Sequence, residues 1–398
     1  MVGALLLFCD LPREAQASAQ TDPLPRHATG LPKIQGPSAG YDDGLFVRSR
    51  DGRFSLNVNL WGQLRFTFQS DERADRSRAN AGFFKIPHAR LAVGGNLFGP
   101  PLRYQLDVNF GGDSPVLNFF AVHWRAIPGA AHLSVGQIKR PWSREFIAHQ
   151  NRLPLAGPSK ASAAFYAGKD IGLMLHNGYR RSPTFEYALG VFGGYRIVPR
   201  TVDEASPLPT PEPDDVVAVG NAVKPTVAFR FGYNHGGIDG YNFSDLAKHG
   251  FRWALAISGL LMVDTRDTTQ SLIGTQVDLL AQFRGLSISA AGYVTSHQTG
   301  SKFSDRNWER AGFVASIGYV IGSSDWDVKP EIVARYTQIA ERAGVDEQEA
   351  GGGIHVFFHG KRLRWSTEAL WQLSEPRPEV GGPDTTDYQL RTQLAFYL

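Results

Sequence analysis

The chain has 398 residues, with 41 Lys+Arg against 38 Asp+Glu and 42% apolar residues. A net charge of +3 is too small to point to nucleic acid, and no apolar run approaches the roughly 18 residues that a membrane helix needs. A single cysteine, Cys9, excludes a disulfide framework and a Cys-built zinc site, and 12% aromatic residues argue against disorder.

Met1 to Phe8 is a short apolar run, and Ala17-Ser18-Ala19 is a small-residue triplet of the kind signal peptidase cleaves after. Together they predict a signal peptide over 1–19, truncated in that it lacks the usual basic start. Pro23, Pro25, Pro32 and Pro37 stand among few apolar residues and predict a Pro-rich linker over 20–50.

From residue 51 on the dominant signal has period two. Between Phe54 and Gln69 every even position is apolar or Gly, and the odd positions are polar apart from Trp61. Successive side chains on a strand point to opposite faces, so one apolar and one polar face are held over a length beyond ordinary soluble strands. The pattern recurs and predicts sixteen strands, near 53–69, 82–98, 101–111, 115–126, 131–139, 169–179, 183–195, 224–236, 251–264, 272–284, 286–298, 309–321, 326–340, 348–360, 362–374 and 385–398. Short turns and longer loops alternate between them, as they do when both termini lie on one side of a barrel. Two connections break the rule. Residues 112–114 are too few for a loop, and 237–250 are too many for a turn, with one helical turn predicted at Ser244 to His249.

The expected fold is an all-β, 16-stranded antiparallel transmembrane β-barrel. In lipid every backbone N–H and C=O needs a partner, and a closed sheet supplies one. The apolar face then meets lipid. The opposite arrangement would put Arg103 or Arg335 in hydrocarbon, at about 2–4 kcal/mol each near the midplane. Tyr104, Phe110, Trp124, Trp253, Trp365, Trp371 and Tyr388 suit an interfacial aromatic girdle.

Four segments resemble the phosphate-selective porin O and P family of Gram-negative bacteria. They are Asp51-Gly52-Arg53-Phe54-Ser55-Leu56, then Ala89 to Gly95, then Gly168-Lys169-Asp170-Ile171-Gly172, and above all Val135 to Glu145 (VGQIKRPWSRE). The last is similar to the family's strand-to-loop signature, with Ile138 in place of the usual aromatic. The resemblance implies an outer-membrane channel, usually a homotrimer, that passes small anions such as phosphate. It also implies that the loop after the fifth strand folds inward and sets the constriction.

That loop with its flanks spans 139–169. It carries Lys139, Arg140, Arg144, Arg152, Lys160 and Lys169 against one acid, Glu145. Clustered Arg and Lys in a narrow pore favour anions, and Arg offers a fork that suits phosphate oxygens. The alternative is that these cations face outer water or lipopolysaccharide phosphates. The inferred lumen wall adds Arg65, Arg90, Arg103, Arg125, Arg230, Arg252 and Arg391, with Arg284, Lys329, Arg335, Arg362 and Arg364. Facing them are Asp107, Glu186, Asp264, Asp278, Asp327, Glu331, Glu349 and Glu368, so many of these charges are expected to form cross-strand ion pairs. The stretch 196–223 is acidic, with Asp203, Glu204, Glu212, Asp214 and Asp215, and reads as a solvated outer loop.

Catalytic signals are weak. On a strand His355 and His359 stand about 13 Å apart, too far for one metal ion. Gly351-Gly352-Gly353 reads as a bend or close packing. Neither an enzyme nor a cofactor is expected. Three functions remain open at this stage: an anion-favouring porin, a general or organic-solute porin with little anion preference, and a closed barrel serving as adhesin, receptor or enzyme.

Overall fold

The computed structural model describes residues 38–41, 44–112, 114–193, 196–198, 217–219, 225–263, 271–298, 306–342, 344–358, 360–378 and 380–398. The segment read as a signal peptide, the prolines of 20–37 and the acids of 199–216 lie outside the described residues, as do Asp264 and His359.

Sixteen antiparallel strands form a closed barrel. They are β1 (Ser55–Glu72), β2 (Arg78–Asn96), β3 (Leu102–Asn109), β4 (Val116–Ile127), β5 (Ala131–Lys139), β6 (Lys169–His176), β7 (Phe185–Phe192) and β8 (Thr226–His235). The second half continues with β9 (Arg252–Met262), β10 (Leu272–Phe283), β11 (Leu286–Gln298), β12 (Arg306–Val320), β13 (Val328–Glu341), β14 (Val345–Phe358), β15 (Leu363–Pro376) and β16 (Thr385–Tyr397). Closure comes from β1 on β16, in register from Trp61 opposite Tyr397 to Ser70 opposite Tyr388. Each of the sixteen strands overlaps its sequence-predicted range. Strand length is uneven: β2 has 19 residues, whereas β3, β6 and β7 have 8 each.

The alternation resolves into two surfaces. Leu255, Ile257, Val277, Leu279, Phe313 and Ile317 point outward and are exposed. Their neighbours Ala254, Ala256, Gln276, Asp278, Val314 and Ser316 point inward and are buried. A continuous outward apolar belt on a closed sheet places the barrel in a membrane, and this is the architecture of the outer membrane. Trp124, Trp253 and Trp365 sit near the turn-side ends of their strands, where an aromatic girdle belongs.

Several details were not in the sequence pattern. Residues 38–48 fall within the stretch read as a linker, yet Ser38–Tyr41 and Leu45–Arg48 form a hairpin. Its second strand pairs with β1 from Ser55 to Val58, beyond the end of β16. A further short hairpin joins Arg196–Val198 to Val217–Val219. Segment 237–250 holds no helical turn. Asp245 instead accepts from Arg252 and from the Gly285 N–H, and Ser244 donates to Glu331, so these side chains are committed to the wall. Arg284 and Arg362 leave the lumen set. Arg284 makes the two-residue turn between β10 and β11 with Gly285, at φ of 48° and 94°, and is exposed at the rim. Arg362 is exposed in the next turn but one, over the Tyr41 ring.

Ile257 is mid-strand in β9 and faces lipid. Ile257→Arg is expected to lower folding stability in lipid vesicles by about 2–4 kcal/mol, read by urea titration. An unchanged midpoint would mean that this face does not meet hydrocarbon.

Candidate functional site

The candidate site is the barrel interior, and its shape is set by the connection from β5 to β6. Residues 140–168 turn inward rather than outward. Trp142, Ile147, Leu153 and Leu155 of this loop are at most 1% exposed. Trp142, Ile147 and Leu153 pack in one cluster with inward wall residues, among them Ala188, Ala228, Ala254 and Leu280, while Leu155 packs with Val333 and Leu370. The glycine run of β14 belongs to this packing. A Cβ on Gly351 would collide with Leu370 and approach Leu155.

Two short α-helices form in the loop, α1 (Arg144–Ile147) and α2 (Lys160–Ala164), capped by the Ser143 and Ser159 side chains, with one turn of 3-10 helix at Gln150–Arg152 between them. Most loop carbonyls therefore lack an intrahelical partner, and the wall arginines supply one. Arg65 donates to Ala156 O at 3.0 Å, Arg335 to Gly157 O at 2.8 Å, and Arg364 to Asn151 O at 3.0 Å. Arg230 donates to Trp142 O at 3.1 Å, and Arg310 to Ala164 O at 3.0 Å.

One carboxylate ties the loop to the wall. Asp278 of β10 accepts from Arg144 Nε at 2.7 Å and from the Arg144 backbone N–H at 3.1 Å. It also accepts from Arg230 at 2.7 and 3.0 Å and from Gln276 at 2.7 Å. Arg230 in turn meets Glu186 at 2.9 Å. The turn 236–251 joins this network from the other end of the barrel. Tyr241 shares Glu186 with Arg230, the Gly240 carbonyl accepts from Arg144, and the Phe243 N–H donates to Arg152 O. The two inward segments meet and fill the side of the lumen walled by β7 to β15.

The structure thus sorts the sequence-predicted cations. Of the loop set, Arg140 pairs with Asp170 across the loop's neck, Arg144 with Asp278, Arg152 with Asp239 and Lys160 with Glu347. Of the wall set, Arg65 and Arg230 hold the loop, Arg252 pairs with Asp245, and Arg391 lies 3.6 Å from Glu368. Lys329 donates to Leu246 O, and buried His355 meets Glu331. Lys139, Lys169, Arg90, Arg103 and Arg125 line the space left open, Arg90 while paired with Asp107 at 2.7 Å and Arg125 while donating to Pro100 O.

That space holds two cavities along β2 to β6. Phe119, Lys139 and Arg180 belong to the walls of both. The turn-side cavity is lined by Arg103, Arg125, Lys139, Arg180 and Arg181, with no carboxylate in its wall. Arg180 and Arg181 come from the turn between β6 and β7, which the sequence reading did not single out. The loop-side cavity has Arg90, Lys139, Lys169 and Arg180 against Glu145. Burial pushes the Glu145 carboxyl above the usual carboxylate range, opposed by Arg335 and by the Ser159 hydroxyl, which donates to it at 2.5 Å. Burial, with Arg90, Arg152 and Lys139 nearby, holds the His149 imidazole well below its usual range, so it is neutral at pH 7. Lys139 Nζ donates to Phe146 O at 2.6 Å and Lys169 Nζ to Asn118 at 2.6 Å, which fixes both ammonium groups at the cavity edge.

No family model matches the sequence, and no curated protein matches it. Solved structures with the same fold include an anion-selective porin from Comamonas acidovorans, at TM-score 0.52 and 11% identity, covering 86% of this chain and 100% of that one. The outer membrane channel DcaP of Acinetobacter baumannii is similar at TM-score 0.51 and 9% identity, covering 86% of this chain and 97% of its own. At such identities the likeness is one of fold.

Asp278→Ala leaves the buried Arg144 guanidinium without its carboxylate and Arg230 with Glu186 alone. Removing one partner of a buried pair costs roughly 3–5 kcal/mol. The expected result is a folded barrel with a loosened loop: a lower unfolding midpoint in urea, and larger single-channel conductance in planar bilayers. Conductance equal to that of the unmodified protein would mean that Asp278 does not hold the loop in the lumen.

Proposed function

We propose that the protein is a passive outer-membrane channel that favours small anions. The observation that carries this reading is the charge of the space left along β2 to β6. Five cations and no carboxylate line its turn-side cavity. The acids of the barrel are mostly spent elsewhere, Asp278, Glu186 and Glu349 in pairs with Arg230, Arg144 and Arg335. Low-dielectric walls focus the field of fixed charges into a narrow aqueous path, which raises the local anion concentration and repels cations.

The mechanism needs no moving part. An anion enters the path between the loop and strands β2 to β6. It passes Lys169 and Lys139, then Arg180, Arg181, Arg103 and Arg125, or takes the same steps in reverse. Spaced cations of this kind let an ion bind at one site and leave for the next. Phosphate is one anion such a path would take. A homotrimer belongs to the same proposal, supported by a shallow apolar groove on the lipid face between β10 and β13, where nothing stands above Gly292.

A KCl gradient across a planar bilayer tests this. The reversal potential is expected to have the anion-selective sign, and insertions to appear as conductance steps in threes. Arg180→Glu with Arg181→Glu is expected to move the reversal potential toward zero or past it. A cation-selective reversal potential in the unmodified protein would remove the anion assignment and leave a general channel. A folded barrel with no conductance would remove the channel itself.

A further inference from the structure

We infer that the hairpin of residues 38–48 anchors the barrel at the membrane interface, its outer face bedded among the phospholipid headgroups of the turn-side leaflet. This placement does not depend on what the channel passes. Strand register locates the hairpin. β16 runs beside β1 with Leu394 opposite Leu64 and Phe396 opposite Gly62. Leu398 then exchanges both backbone hydrogen bonds with Leu60, at 2.9 and 2.8 Å. The hairpin takes up the same row at the next outward positions, with Leu45 opposite Val58 and Val47 opposite Leu56. Leu394, Phe396, Leu398, Leu45 and Val47 therefore follow one another along β1 at every second position, and all share the lipid-facing side. The pairing also covers the backbone edge of β1 from Ser55 to Val58, which β16 does not reach.

The two faces of the hairpin differ. On the outer face Leu45 is 63% exposed and Val47 50%. Tyr41 is paired opposite Leu45, is 50% exposed, and has the Arg362 guanidinium 5.9 Å over its ring. Beside them on β1 and its next turn, Phe54 and Phe98 are exposed and meet edge to face at 5.4 Å. The inner face is turned to the protein. Phe46 is half-buried under the Arg48 guanidinium, at 4.4 Å. Gly44 is buried where a Cβ would strike the inward Asn59, so the chain bends toward the lumen there and leaves the apolar side outward.

Height along the wall decides what covers this face. From Tyr388 to Leu398 the outward side of β16 spans about 33 Å along the strand and about 26 Å along the membrane normal once tilted. The apolar band of such a barrel is about 25 Å tall. Leu398 thus stands at the turn-side edge of the hydrocarbon, and Leu45, Val47 and Tyr41 fall just beyond it. That layer holds headgroups and upper acyl chains, where an apolar segment with an aromatic ring and a guanidinium at its border is at home. Continuity with the lipid-facing row is what assigns this surface to lipid rather than to a second copy of the chain.

The test uses the full chain with its single cysteine removed, Cys9→Ser, so that Leu45→Cys carries the one thiol. That thiol is labelled with a fluorophore, and the protein is refolded into phosphatidylcholine vesicles doped with a nitroxide lipid. The nitroxide sits either near the headgroup or near the chain end. The shallow nitroxide is expected to remove at least about half of the emission, and the deep nitroxide and aqueous iodide much less. Arg50→Cys, exposed beyond the hairpin, is the aqueous reference and is expected to respond to iodide alone. Val47→Cys reads the same face should Leu45→Cys not fold. Quenching of the Leu45 label by iodide and not by lipid puts the face in water and overturns the inference. Resistance to all three quenchers means that protein covers it, a second copy of the chain foremost, and overturns it as well. Quenching as strong from the deep nitroxide as from the shallow one places the hairpin in hydrocarbon and overturns the interfacial placement.

Discussion

The Asp278 carboxylate is the point on which the interior depends. Five donors from Arg144, Arg230 and Gln276 converge on its two oxygens. Two of those groups are buried guanidiniums on different pieces of chain, one on the loop and one on the wall. A single negative charge between them turns what would be repulsion into a tie. Its worth is positional more than energetic, because a buried ion pair costs much of its Coulomb gain in desolvation. Without it the loop would lose its side-chain tie to β10.

From that tie follows the division of the lumen. The wall from β7 to β13 carries small or apolar inward residues, Ala188, Ala228, Ala254, Ala256 and Val314 among them, which receive the loop. The wall from β2 to β6 keeps more polar and cationic inward residues, and cavities remain between it and the loop. One part of the interior is thus filled as a core, and another is left with cavities. Arginine serves both halves in different ways. Arg65, Arg335 and Arg364 spend their donors on loop carbonyls, while Arg103, Arg125 and Arg181 face the open space.

The barrel was legible because alternation over a dozen residues has one physical solution, and that solution repeats in every strand. The inward course of the loop entered through resemblance, since no period marks it. Which cations would face the path was not legible. Lys139 and Arg140 are neighbours of the same charge, yet one edges both cavities and the other is locked to Asp170 across the loop's neck. That difference depends on contacts 30 residues away in sequence. Arg180 and Arg181 were passed over because a short turn between strands gives no hint that it reaches back into the lumen. One signal could have pointed to the split interior. In β8 and β9 the inward positions change from charged residues to Ala228, Ala254, Ala256 and Leu260, which a water-filled wall would not need.

The unequal strands bear on the bilayer itself. A strand of 8 residues, such as β3, β6 or β7, spans about 26 Å along its own axis and about 20 Å along the membrane normal once tilted. The apolar band of an outer-membrane barrel is about 25 Å tall. On this side the wall is shorter than the hydrocarbon it meets, whereas β1 and β2, at 18 and 19 residues, overshoot it. Such hydrophobic mismatch is relieved by local thinning of the lipid or by a second protein surface taking the lipid's place. The lipid is therefore drawn thinnest against the short strands β3, β6 and β7.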